Sequence, residues 1–157
     1  MNLLQISAAS RLEYFQAGLA FFFSVLFSLY ASGGHAAEPK IDPGQIRIQA
    51  VRILDDVFQG LSEGTYGLYT KDFSENMKAS QSREDFLLLQ RNFQKTVGHL
   101  RSMEYIGFYV QDNHVIALFK SRFSKIKDDM LVKLVLDIRS SPPRVTGLWF
   151  EHPSLEK

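Results

Sequence analysis

The hydrophobic period of this chain changes once, at Gly98, and that change constrains the fold more than any motif in it. A 3.6-residue period buries one face of a helix, and a two-residue period buries one face of a strand. Before Gly98, Ile46, Ala50, Ile53, Leu54, Val57, Phe58 and Leu61 recur at helical spacing, while Arg47, Arg52, Asp55, Asp56 and Gln59 fill the other face. This predicts a long amphipathic helix. Asp42 marks its start as cap, with Pro43 at the first helical position, Gln45 where a capping-box side chain reaches back, and Ile41 and Ile46 spaced for a hydrophobic staple. Its end falls between Gly60 and Gly64. A short aromatic segment follows, Tyr66-Gly67-Leu68-Tyr69 to Phe73, and Ser74 and Ser82 then offer two further caps. From Ser82 a second long helix carries Phe86, Leu89, Phe93 and Val97 on one stripe and stops at Gly98.

Beyond Gly98, turn signals divide the chain into four strand-like stretches. The clearest sets Met130, Val132, Leu134, Leu136 and Ile138 in alternation with Leu131, Lys133, Val135 and Asp137, so that one face is wholly apolar. The others run from about Met103 to Val110, Val115 to Phe123 and Val145 to Phe150. They are joined by Gln111-Asp112-Asn113, by Ser124 to Asp129, and by Arg139 to Arg144 with its Pro142-Pro143. Short links favour an antiparallel meander. Helices first and strands second make an α+β domain with the helices covering one side of the sheet. The expected organisation is a signal peptide over residues 1–36, a polar lead over 37–44, one α+β domain over 45–152 and a tail over 153–157.

The signal-peptide expectation rests on the order of the first residues: a polar start with Arg11, an apolar run from Ala17 to Ala31, then Ser32-Gly33-Gly34-His35-Ala36-Ala37. The run is shorter than the ~20 residues of a membrane-spanning helix. Gly34 and Ala36 suit a cut after Ala36, with a cut after Ala37 as the variant. The rival is an uncleaved anchor, lengthened by Leu3, Leu4, Ile6 and Leu12 and with Glu13 weakening the positive start. Either version puts the domain outside the cytoplasm, periplasmic or secreted. The remaining ~120 residues are enough to bury a core of their own. They must do so unaided, because the chain has no cysteine, which excludes disulfides, thiolate metal sites, a cysteine nucleophile and a lipidated cysteine.

Other chemistries lose their usual warrant in turn. With 18 basic and 17 acidic residues the chain has no global field for nucleic acid or an anionic membrane. His99, His114 and His152 form no pair at helical metal-ligand spacing. Asp55-Asp56 and Asp128-Asp129 are adjacent carboxylates that read as surface, and there is no glycine-rich phosphate loop or Gly-x-Ser-x-Gly elbow. No metal and no cofactor is expected. Lys120, Arg122, Lys125 and Lys127, interleaved with Phe119 and Phe123, could touch an anionic surface or an acidic partner. The plainer reading is that the cations guard the sheet ends while the phenylalanines pack inward and Asp128 and Asp129 offset the charge.

The order of long helix, aromatic turn, shorter helices and antiparallel strands resembles the cystatin-like, or nuclear transport factor two-like, fold, and more narrowly small secreted bacterial families of unknown function. The residues that carry the likeness are Gly64-Thr65-Tyr66, Phe73-Ser74, the helix from Ser82 into Phe86, Gly98, Phe123 and Gly147-Leu148, over Gln45 to Glu151. The resemblance implies a cone whose curved sheet and helices enclose a pocket. Its enzymes place an acid or histidine inside the cone with a tyrosine or second acid beside it. The nearest candidates here are Asp137 and Tyr105, but Asp137 beside Lys133 reads as a solvated outer face, and no catalytic residue is carried over. A pocket would be lined by Tyr69, Phe73, Tyr105, Phe119 and Trp149. The expected function is a non-catalytic module for protein interaction or self-association, with a small apolar ligand in the cone second and an enzyme third. An assembly module should fill its interior and show an apolar sheet face that a second copy covers. A ligand binder should keep a closed apolar cavity, and an enzyme should bury an acid with a polar partner.

Overall fold

The computed structural model describes residues 42–155. The expected signal peptide, its cleavage point, the polar lead up to Ile41 and the Ile41 half of the staple lie outside the described residues. The elements are α1 (Pro43–Glu63), α2 (Tyr66–Tyr69), α3 (Glu75–Ala79), α4 (Arg83–Thr96), β1 (Leu100–Gln111), β2 (His114–Phe123), β3 (Met130–Asp137) and β4 (Arg144–Glu151), closed by a 3-10 turn at Pro153–Leu155. The chain is therefore α+β, with its helices before a four-stranded antiparallel meander in the order β1-β2-β3-β4. Among the described residues no helix is long and apolar enough to cross a membrane.

The helix starts are set by short polar side chains. Asp42 accepts from the Gly44 N–H at 2.9 Å and Pro43 opens α1, whereas Gln45 makes no return bond there. The reciprocal capping box occurs instead at α4, where Ser82 and Asp85 each accept from the other's backbone N–H. Ser74 caps α3 by accepting from Met77 at 3.3 Å. Gly98 ends the helical half with φ +84°, and a side chain there would collide with Ser124 and Lys125, so conformation and space both require glycine.

The predicted stripes are the core. Ile53, Leu54 and Val57 of α1, with Phe86 and Phe93 of α4, pack on Val115, Ala117 and Phe119 of β2 and on Val132, Leu134 and Leu136 of β3. The strand registers explain this, because Ala117↔Leu134 and Phe119↔Val132 put alternate residues of both strands on the helix side. Outward lie Ile116, Leu118 and Lys120 against Val135, Lys133 and Leu131. β1 is longer than its apolar alternation indicates because register shifts at Leu100/Ser102 and Tyr105/Gly107 interrupt the two-residue period. Asp112 turns the β1-β2 hairpin at φ +54°, a conformation that aspartate tolerates. The sheet edge at β4 is partly covered, since Val145 donates to the Asp72 carbonyl and Ser74 donates to that of Val145, both at 2.8 Å. Leu155, in the stretch expected as a tail, lies buried against the core.

Candidate functional site

The interior between helices and sheet is filled by aromatic rings. Tyr69, on the short helix that follows α1, stacks edge-on to Phe73 at 5.0 Å and on Phe86 at 4.9 Å between centroids, and all three are fully buried. Phe119 is fully buried as well, with Tyr105 edge-on at 5.4 Å. Of the five residues expected to line a pocket, then, Tyr69, Phe73 and Phe119 are packed core. Tyr105 is half-buried on the inner face of β1 with the Arg47 guanidinium 5.9 Å from its ring centre. Trp149 is on the opposite face of the sheet. Burial pushes the Tyr69 phenol well above its ordinary value, and it raises that of Tyr105 against the pull of Arg47.

The two residues weighed as an acid and its partner are kept apart by the sheet. Tyr105 faces the helices beside Phe119, whereas Asp137 points outward at the end of β3, opposite His114. The Arg139 side chain donates to both Asp137 oxygens and pulls that carboxyl down to about 2, which leaves a half-buried carboxylate ionised at neutral pH. Among the described residues the buried acid is Asp72, to which the sequence draws no attention. Arg52 donates to its two oxygens at 2.9 and 3.0 Å and reaches Asp56 at 3.1 Å, and Lys71 joins Asp56 at 2.8 Å. Since one guanidinium holds both Asp72 oxygens, the group is a clamp between α1 and the turn that supports β4. No periodic signal joins residues 52 and 72.

The histidines are scattered. His99 stands exposed before β1, and its N–H donates to Ser124 just past the end of β2. His114 opens β2 at the far end, about 30 Å away at strand rise. His152 is buried beyond β4, with Nδ1 accepting from the Ser154 N–H at 3.1 Å. Among the described residues no group of three or more His, Asp or Glu could hold a metal ion.

Three of the four cations of the basic cluster make internal contacts, and Lys127 is exposed. Lys120 pairs with Glu104 at 2.7 Å, Arg122 pairs with Asp129 at 2.8 Å, and Lys125 donates to the Gln94 and Lys95 carbonyls at the end of α4. Phe119 and Phe123 point inward.

A hollow of about 320 Å³ beside Arg101, Arg122, Lys127 and Asp129 is mostly polar, and two features with more apolar walls are also open to solvent. One is a cleft of about 390 Å³ between the second half of α1, the end of α4 and the start of β1. Its floor is the ring set Phe58, Phe93 and Phe123, with centroids 5.3–5.5 Å apart, and Asp55, Gln59 and Glu63 run along its α1 wall. Burial, helped by neighbouring Asp56, raises the Asp55 carboxyl above its ordinary value. The other is the outer sheet face. There Tyr109, Ile116, Val135 and Trp149 surround a depression of about 220 Å³ beside the Lys133–Glu151 ion pair. Trp149 lies over Gly147 so closely that any side chain at position 147 would displace the indole. A glycine inside an apolar strand pattern signals such a close approach.

No family model, curated protein or solved structure matches this chain. Its functional reading therefore rests on these surfaces alone.

Proposed function

We propose that this protein is a non-catalytic interaction module that self-associates through the outer face of its sheet, and that its leader delivers it outside the cytoplasm. The carrying observation is the contrast between the two sides of the sheet. On the helix side the rings of Tyr69, Phe73, Phe86 and Phe119 are fully buried against one another. On the outer side Tyr109, Leu118, Leu131, Val135 and Trp149 present apolar surface that no element of the described chain covers. Aromatic and aliphatic surface of this kind, rimmed by charge, suits a protein partner.

The charges on that face favour a second copy over a strongly charged partner. Lys120 pairs with Glu104 and Lys133 pairs with Glu151, so the rim is neutral and does not repel an identical surface. Size agrees as well. Strands of eight to twelve residues, about 4.8 Å apart, make a rectangle of roughly 19 by 26–40 Å, the order of the ~800 Å² per partner of a standard interface. The cystatin-like cone fits the same arrangement, with its interior closed. Binding of an apolar ligand in that cone ranks second, because a ligand would have to displace Tyr69, Phe73 or Phe119 from close packing.

Sedimentation velocity on the purified protein tests this reading. The wild-type chain is expected to sediment as a dimer. Val135→Lys, in the centre of the outer face, should convert it to monomer, whereas Ile48→Lys, an equal charge change on the exposed side of α1, should not. A wild-type monomer at high concentration, or a dimer unaffected by Val135→Lys, would overturn the reading.

A further inference from the structure

The cleft beside α1 belongs neither to the filled interior nor to the outer face, and its two halves have different chemistry. The floor is apolar and aromatic: Phe58 and Phe93 each pack edge-on to Phe123, and the three line the cleft while remaining at most 5% exposed. The α1 wall is acidic and is produced by helical spacing. Asp55, Gln59 and Glu63 recur every four residues, so they form one row about 12 Å long at helical rise. Glu63 accepts from Gln59 at 2.9 Å, and among the described residues neither Asp55 nor Glu63 is in an ion pair. Asp56, next to Asp55, is by contrast fully engaged by Arg52 and Lys71. The opposite wall carries no fixed cation into the cleft: it is made by Gln94, Gly98, the exposed His99 and Leu100. A volume of about 390 Å³ lies in the ~300–1,000 Å³ range of small-molecule sites.

From this geometry we infer that the cleft binds small aromatic monocations, the ring seated over the floor of Phe58, Phe93 and Phe123 and the ammonium drawn to the acidic row of Asp55 and Glu63. Two attractions act together. The ring gains apolar contact and edge-to-face packing with the phenylalanines. The cation meets the field of two carboxylates that no ion pair compensates. An anion of the same shape meets only repulsion, so charge sign and not ring shape is the discriminating property. The site is open, so affinity belongs in the millimolar to high-micromolar range. The row sits outside the buried stripe of α1, and its carboxylates can be changed without disturbing the core.

The test is a charge series on one ring system, followed by amide chemical shifts of the purified protein. Tryptamine, tryptophol and indole-3-acetate share the indole and differ in carrying a positive, a neutral and a negative group. Tryptamine is expected to shift amides of Gln59–Glu63 and Gly98–Leu100 saturably, with tryptophol weaker and indole-3-acetate weakest. In the Asp55→Asn/Glu63→Gln double variant, tryptamine should lose about tenfold in affinity, the worth of two exposed charge contacts, while tryptophol stays unchanged. Equal affinity for the three probes, shifts confined to another surface, or tryptamine binding unmoved by the double variant would each overturn the assignment. Shifts from added magnesium chloride alone at the same amides would also do so, since they would mark the row as a site for inorganic cations.

Discussion

Asp72 carries a cost of placement, because its carboxylate is the buried one among the described residues. Arg52 offsets that cost with two hydrogen bonds while remaining partly exposed itself, and the interaction raises the Arg52 pKa. The asymmetry makes the two truncations unequal. Arg52→Ala strands a buried anion and should destabilise the protein by about 2 kcal/mol, whereas Asp72→Ala leaves a guanidinium that can turn to solvent and to Asp56. Urea unfolding of both single variants and of the double variant checks this, with the double expected to be no less stable than Arg52→Ala alone. A cost under about 0.5 kcal/mol for Arg52→Ala would make the pair an ordinary surface ion pair. At this scale the sequence says little: residues 52 and 72 share no period, and Trp149 and Phe150 look alike in composition although β4 turns them to opposite faces.

At the scale of elements, helix α4 depends on its first turn. It is 14 residues long, too short to persist alone, and its stripe of Phe86, Leu89 and Phe93 can reach the core only if the helix starts at Ser82. Ser82→Ala removes the half of the capping box that the hydroxyl makes, leaving the backbone N–H of residue 82 free to donate to Asp85, and should cost about 1 kcal/mol, read as a lower urea midpoint with unchanged slope. An unchanged midpoint would mean that packing of the stripe alone sets the helix. The elements themselves were largely legible. The caps at Asp42, Ser74 and Ser82, the stop at Gly98 and the alternation of Met130 to Leu136 are local signals, and each element forms where they point. What local signals did not carry was β1 from Leu100 to Met103, where a register shift breaks the alternation, and the cleft. The acidic row is visible as spacing on α1, but its phenylalanine floor is assembled from α1, α4 and β2, which only the tertiary fold brings together.

At the scale of the whole molecule, the α+β arrangement leaves one sheet face packed and the other open, and the proposed function is a statement about the open one. Aromatic rings fill the packed side, so the candidate pocket residues divide: Tyr69, Phe73 and Phe119 serve stability, Tyr105 sits at the half-covered edge, and Trp149 belongs to the outer face. Trp149 is also the single tryptophan of the chain, so its fluorescence reports that face without interference. The most direct measurement is acrylamide quenching of Trp149 in the wild-type protein and in Val135→Lys at the same concentration. If a second copy covers the face, the indole should be quenched several-fold less efficiently in the wild type than in the variant. Equal quenching in the two would contradict an interface on the outer sheet.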